Sequence, residues 1–159
     1  MLEPGLDKIW QEPFILDLFG LLLRGDRTVL RALHQEFIRS AREGVPVNRL
    51  AGIVQRHSGL EIRQSLRTAE QVMGYVLSKH RWMRQMEGGA THKKWVCGMT
   101  CPILGHGQAQ EDTAREPVPV NGPFVVNGVK LMFPRDFESG HMEECIFCDC
   151  LALGCRLDS

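Results

Sequence analysis

The sequence lacks an excess of charge of either sign, because 19 basic residues are balanced by 19 acidic ones and no block of like charge occurs. A free-standing nucleic-acid-binding domain usually carries a basic surface, so this composition argues against one. Two short basic groups are candidates for contact with the phosphate backbone of DNA: Lys79, His80, Arg81 and Arg84, and His92, Lys93 and Lys94. The alternative is that both are solvated faces.

Long apolar runs are also missing. The nearest approach, "FILDLFGLLLRG", contains Asp17 and falls short of the roughly 18 residues that cross a bilayer. The N-terminus has no basic region or cleavage site of a signal peptide. We therefore expect a soluble chain without a membrane span, made in the cytoplasm, in which the six cysteines are thiols, core residues or metal ligands instead of disulfides.

Catalytic motifs are absent as well: there is no G-x-S-x-G, no phosphate-binding glycine loop and no H-E-x-x-H. We expect no enzyme. Two enzymatic alternatives stay open. Cys101 or Cys148 can pair with His106 as a nucleophile and base. His106, Glu144 and Asp136 can be the remnant of a toxin-type nuclease or transferase, which requires them to share one cleft.

The predicted secondary structure of the chain changes once, at Gly88-Gly89. Before it the apolar spacing is helical, with Asp26 as N-cap of "RTVLRALHQEFIRSARE", a shorter helix "VNRLAGIVQRH", and a long helix from about Glu61. The apolar stripe of that long helix comprises Ile62, Leu66, Ala69, Val72, Met73 and Val76. After Gly88-Gly89 come short strands and turns. The sequence predicts an α+β fold in which N-terminal helices (1–87) pack with a small antiparallel β unit (88–159) to form one compact domain.

The β unit is predicted to contain a tight hairpin. Asn127-Gly128 separates two apolar runs, and this dipeptide favours a type I′ turn that pairs Val126 with Val129 and Phe124 with Leu131. The other predicted elements are a strand in "THKKWVCG", a loop from Gly105 to Glu116, a short strand in "PVPV" and a closing strand in "CIFCDCLALGC". One face of the hairpin is expected in the core.

The cysteines are the candidate metal ligands. A strand places Cys148 and Cys150 on the same face, and zinc requires four sulfur or imidazole ligands in a tetrahedron. Cys101, His106, Cys148 and Cys150 form one such set, which we predict as a zinc site. Only "CIFC" has C-x-x-C spacing, and "CGMTC" is one residue longer. The competing interpretation is that these are core thiols, since free cysteine is often buried.

Four blocks follow one another in the second half: "THKKWV", His106 in a polar segment, "VPVNGPFVVNGVKLMFPRD" and "EECIFCDC". From about Thr91 to Cys150 this order resembles the C-terminal half of the phage head morphogenesis family, also called Mu F-like or minor head proteins. The matching positions are Trp95, Phe124, Gly128, Leu131, Met132, Pro134, Asp136, Glu144, Ile146, Cys148 and Cys150. Where the family has polar residues after the tryptophan, this chain has "GMTCPILG".

The resemblance implies a structural role. Minor head proteins lie inside the head near the portal and are associated with head assembly, DNA packaging or DNA delivery. The implied partners are the portal or major capsid protein, with the phosphate backbone of phage DNA as a further candidate. The helix face from Ile15 to Leu23 is either the docking surface or core. The alternative function is a small zinc-binding interaction module.

Overall fold

The computed structural model describes residues 5–158, which divide after Val76 into two compact units. The α+β class is confirmed. The helices are α1 (Leu6–Trp10), α2 (Pro13–Leu23), α3 (Arg27–Arg42), α4 (Val47–Ser58), α5 (Ile62–Glu87) and α6 (His106–Arg115). The strands are β1 (His92–Val96), β2 (Val118–Pro119), β3 (Phe124–Val126), β4 (Val129–Leu131) and β5 (Leu151–Cys155). No helix within 5–158 has the length and apolarity to cross a bilayer.

The first unit is a helical bundle with an aromatic centre. The Asp26 side chain accepts a hydrogen bond from the Thr28 N–H at 2.8 Å, which confirms the predicted N-cap of α3. The ring of Phe37 lies 5.1 Å from that of Phe19 and 5.7 Å from that of Trp10, all three being buried. Edge-on contacts of this kind add to the apolar burial that stabilises the bundle.

The α2 face proposed for docking contributes mostly to this core. Ile15, Leu18 and Phe19 are fully buried, whereas Leu21 keeps 53% of its surface exposed. In α5, the predicted stripe is buried at Ala69, Val72 and Val76, but Ile62 at its start is 54% exposed. Helix periodicity therefore located the core stripe of α5 and misplaced its first member, which lies in the first turn of the helix.

The second unit contains two small antiparallel sheets. One has the strand order β2-β1-β5, and the other is the β3-β4 hairpin. The hairpin register is as predicted, with Val126 opposite Val129 and Phe124 opposite Leu131. Asn127 and Gly128 both have positive φ, as a type I′ turn requires. Phe124, Val126, Leu131 and Phe133 are buried.

Two predicted elements of this unit are wrong. Residues 105–116 are not a loop, because α6 occupies His106–Arg115. Its buried positions, His106, Ala109 and Thr113, recur at helical spacing, but two of the three are polar and give no apolar stripe. The closing strand covers only Leu151–Cys155, while residues 145–147 form a turn in which Phe147 has φ +62° and residues 148–150 have no regular structure.

The two basic groups are not free clusters of cations. Lys93 is fully buried, and the Lys79 ammonium lies 3.1 Å from a Glu138 carboxylate oxygen. Ion pairing and burial both reduce the charge that can face a phosphate. Contact with DNA stays a prediction, now limited to the remaining members of these groups.

Lys93 is the most unusual core residue of the second unit. Its Nζ donates a hydrogen bond to the Met132 carbonyl and lies 4.8 Å from the Phe124 ring centre and 5.5 Å from that of Trp82. Burial, opposed in part by the charge of Asp136, lowers the pKa of Lys93 to about 8. The aromatic faces and the carbonyl compensate only part of the lost hydration of the ammonium.

This burial predicts a pH dependence of stability. From about pH 8 to 10.5 the folded chain gives up a proton that the unfolded chain retains, so the contribution of Lys93 to the free energy of unfolding rises. Relative to Lys93→Met, the wild type should gain on the order of 2 kcal/mol between about pH 7 and about pH 10, measured by urea unfolding. Lys94→Met, on the other face of β1, is the control; an equal pH trend in both comparisons would contradict the prediction.

Candidate metal centre

Four side chains of the second unit converge on one point. The ligand atoms of Cys101, His106, Cys148 and Cys150 all lie within 4.8 Å of one another. The three sulfurs are 3.4, 3.6 and 3.5 Å from His106 Nδ1, in the order Cys101, Cys148, Cys150. All are buried except Cys101, which is half-buried. We call these four residues the thiol–imidazole cluster.

The distances fit a shared metal ion. A tetrahedral ion with metal–sulfur bonds of about 2.3 Å and a metal–nitrogen bond of about 2.0 Å places sulfur and nitrogen about 3.5 Å apart. Hydrogen bonding does not account for the arrangement, because Nδ1 has one lone pair and three sulfurs lie at nearly the same distance from it. The cluster can therefore hold a metal.

The ligands come from three separate segments. Cys101 ends the tight loop that follows β1, His106 is the first residue of α6, and Cys148 and Cys150 lie in the irregular segment between the turn at 145–147 and β5. The loop and this segment touch at Gly98, where an added Cβ would lie 1.9 Å from Asp149 Oδ1 and 2.7 Å from the Asp149 carbonyl carbon. Only glycine permits this approach.

Backbone and side-chain donors secure the two cysteine segments. The Gly98 N–H donates to Cys150 Sγ at 3.4 Å, and the Cys150 N–H donates to Cys148 Sγ at 3.4 Å. The Asp149 carboxylate accepts hydrogen bonds from both the N–H and the hydroxyl of Thr100. Amide groups aimed at sulfur stabilise thiolates, which are the form that binds metal.

A second layer of hydrogen bonds orients the imidazole. His106 Nε2 lies 2.9 Å from Glu144 Oε2, and donation from Nε2 leaves Nδ1 free to face the sulfurs. The Asn127 amide donates to both Glu144 oxygens, at 3.1 and 3.0 Å, and to the Leu104 carbonyl at 2.7 Å. A Cβ on Gly105 would meet Asn127 Oδ1 at 1.9 Å. The hairpin turn thus supports the ligand.

Trp95 forms the wall between the cluster and the core. Its ring is 5.0 Å from the His106 ring and 5.2 Å from the Phe124 ring, with both contacts close to perpendicular. The backbone N–H of Trp95 donates to the Thr113 hydroxyl at 2.8 Å, and the Thr113 hydroxyl donates to the Ala109 carbonyl. Helix α6 is therefore fixed against β1 with His106 at its buried end.

Protonation of the free thiols opposes metal binding. Burial raises the pKa of Cys101 to about 11, and the hydrogen bond to Cys148, followed by burial, raises that of Cys150 to about 11. Burial lowers the pKa of His106, but its contacts with Cys150 and Glu144 outweigh burial, so that the net direction is upward. Binding of a metal must displace these protons, which makes its affinity pH-dependent.

The sequence predicted the same four residues as ligands, but the reason given for bringing Cys148 and Cys150 together was wrong. Cys148 and Cys150 do not lie on a strand face, since residues 148–150 have no regular structure and follow the turn at 145–147, where Phe147 has positive φ. Glu144 and Asn127 were not predicted as supports of the cluster. The signal for Asn127 was present, but a turn-forming Asn-Gly pair accounts for it without a metal.

The residues of the enzymatic alternatives do not line an open cleft. The His106 side chain is fully buried and that of Glu144 is 10% exposed. Asp136 accepts a hydrogen bond from the Met132 N–H at 2.9 Å. All six cysteines are free thiols, of which Cys97, Cys145 and Cys155 are not members of the cluster.

Comparison with known proteins adds no assignment. No family model, no curated protein and no solved structure matches the chain. The resemblance to minor head proteins therefore stays a hypothesis that depends on the sequence blocks.

The support that Glu144 gives to His106 predicts a loss of affinity when it is weakened. Glu144→Gln should lower the affinity for a divalent metal by about 10- to 100-fold, because the imidazole loses its charged partner. Competition with a chromogenic chelator measures this affinity. Glu143→Gln is the matched control, since its side chain is exposed and adjacent. Equal affinities of the two variants would contradict the assigned role.

Proposed function

We propose that a structural zinc ion, bound by Cys101, His106, Cys148 and Cys150, holds the second unit together. The single observation that carries this proposal is the near-equal separation of His106 Nδ1 from three sulfurs, at 3.4–3.6 Å. Thiolate and imidazole ligands favour zinc over magnesium or calcium, which prefer oxygen. Four protein ligands leave no open position for a substrate, as is typical of structural sites.

We further propose that the chain is a phage minor head protein that acts near the portal, in head assembly, DNA packaging or DNA delivery. The support is the order of the sequence blocks between Thr91 and Cys150. Residues at the matching positions also form the core of the second unit: Trp95, Phe124, Leu131, Asp136, Glu144, Cys148 and Cys150 are buried. The burial of these residues supports a structural role for the motif.

A catalytic role is not part of this proposal. His106 and Glu144 are buried and hydrogen-bonded to each other, and the three thiols surround the remaining ring nitrogen. A general base must reach a substrate proton, so the burial of both groups supports a structural role. The interaction surface is instead expected on the outside of the helical unit, at the exposed Leu21 of α2.

The zinc proposal predicts one zinc ion per purified chain. Cys148→Ser removes a ligand and leaves a buried hydroxyl in its place, so we expect loss of zinc and a cooperative unfolding transition at lower temperature. Elemental analysis and thermal unfolding provide the two measurements. Cys155→Ser should retain both properties, since Cys155 lies outside the cluster. Zinc-free wild type, or full zinc in Cys148→Ser, would refute the site.

The minor head proposal predicts binding to a portal protein. Co-expression with the portal protein encoded nearby should give co-elution in size-exclusion chromatography. Leu21→Glu should weaken the association by placing a charge on the docking face, whereas Leu77→Glu, at 50% exposure against 53% for Leu21, is the matched control. Zinc-loaded protein that does not associate with the portal would favour a separate zinc-binding interaction module.

A further inference from the structure

A fourth thiol adjoins the thiol–imidazole cluster without belonging to it. Cys97 follows β1 directly and is half-buried. Its Sγ lies 3.6 Å from the Gly98 carbonyl oxygen, and its N–H donates to Gln110 Oε1 at 2.8 Å. The four-ligand set is complete without Cys97, so this residue has no assigned role in binding the metal.

The strand register places Cys97 opposite Cys150. In the β1-β5 ladder Val96 pairs with Leu151, and the next position along each chain is Cys97 on one side and Cys150 on the other. The Gly98 N–H reaches Cys150 Sγ at 3.4 Å, which shows that the two segments stay close beyond the last ladder pair. Cys97 and Cys150 thus occupy opposite positions just beyond the last pair of the ladder, and their segments are close in space.

This pairing is compatible with a disulfide. Residues directly opposite in an antiparallel pair have Cα atoms about 4.5–5.5 Å apart, and disulfides span Cα distances of about 4.4–6.8 Å. Cys155 does not compete for Cys97, because it pairs with His92 at the other end of the ladder, five residues or about 17 Å along the strand from Cys97. Bond formation therefore requires side-chain rotation with little movement of the backbone.

We propose that Cys97 is an oxidation site that forms a disulfide with Cys150 in the presence of hydroperoxide, and that this bond releases the metal. The inference rests on the proposed zinc site and adds regulation to it. Loss of Cys150 leaves two thiols and the imidazole, which hold zinc more weakly than four ligands do. A hydroperoxide is the chemical class of the modifying reagent.

The oxidation of Cys97 and the formation of the disulfide balance in atoms and electrons. The Cys97 thiol takes one oxygen from the hydroperoxide, which leaves as water or an alcohol, and becomes a sulfenic acid. The Cys150 thiolate then attacks the Cys97 sulfur, the S–S bond forms, and hydroxide leaves and takes a proton from solvent. Two thiol groups are oxidised by two electrons in total, and one hydroperoxide is reduced. Burial and the neighbouring Cys150 raise the pKa of Cys97, so a slow first step is expected.

The test uses the full-length protein, purified under reducing conditions and then exchanged into buffer without thiol. Hydrogen peroxide is added, zinc release is followed with a chromogenic chelator, and disulfides are mapped by mass spectrometry of the unreduced digest. Wild type should release its zinc together with the appearance of the Cys97–Cys150 disulfide. Cys97→Ser should lack this disulfide and release zinc several-fold more slowly. Cys155→Ser should behave like wild type.

Two results would overturn the proposal. One is zinc release from Cys97→Ser at the wild-type rate, and the other is wild-type release without a Cys97–Cys150 disulfide. The zinc content before oxidation is measured separately, so absence of zinc counts against the proposed metal site alone. In that case the disulfide map of the metal-free wild type still decides whether Cys97 and Cys150 react with each other.

Discussion

The hydrogen bond between His106 and Glu144 determines how the second unit is organised. It fixes which ring nitrogen faces the thiols, and it joins the start of α6 to the segment that precedes the cysteine-rich turn. Asn127 extends the same network into the hairpin. Residues far apart in sequence are thus connected through one buried imidazole, and each segment depends on the others for its position. Satisfied polar networks of this kind specify a unique arrangement more strongly than apolar contacts do.

The two units achieve stability by different means. In the first unit, helices α2, α3 and α4 have 11–16 residues, and their aromatic and aliphatic faces pack together. The second has strands of two to five residues, which offer little apolar area and few ladder hydrogen bonds. Small units with limited cores commonly depend on a metal or disulfides. The thiol–imidazole cluster, which can hold a metal ion, lies where three segments of this unit meet.

Sequence patterns predicted the local features well and the supporting contacts poorly. The Asp26 cap, the α3 and α4 helices and the hairpin register follow from short-range chemistry, which a single stretch of sequence contains. Helix α6 was missed because its buried face is polar, and its hydrogen bonds to β1 become visible only once both elements are placed. The four cluster residues were identified from ligand type, although residues 145–150, a turn followed by irregular backbone, were predicted as part of a strand.

Asn127 has a second role besides forming the hairpin turn, because its side chain also binds Glu144. A type I′ turn accepts Asn-Gly and Asp-Gly about equally, so backbone geometry alone does not choose between them. The amide of Asn127 donates to the Glu144 carboxylate, whereas an aspartate there would place a second negative charge beside the mostly buried Glu144. The preference for an amide at this turn is therefore electrostatic in origin, and a designer who optimised the hairpin by itself would have no reason to keep it.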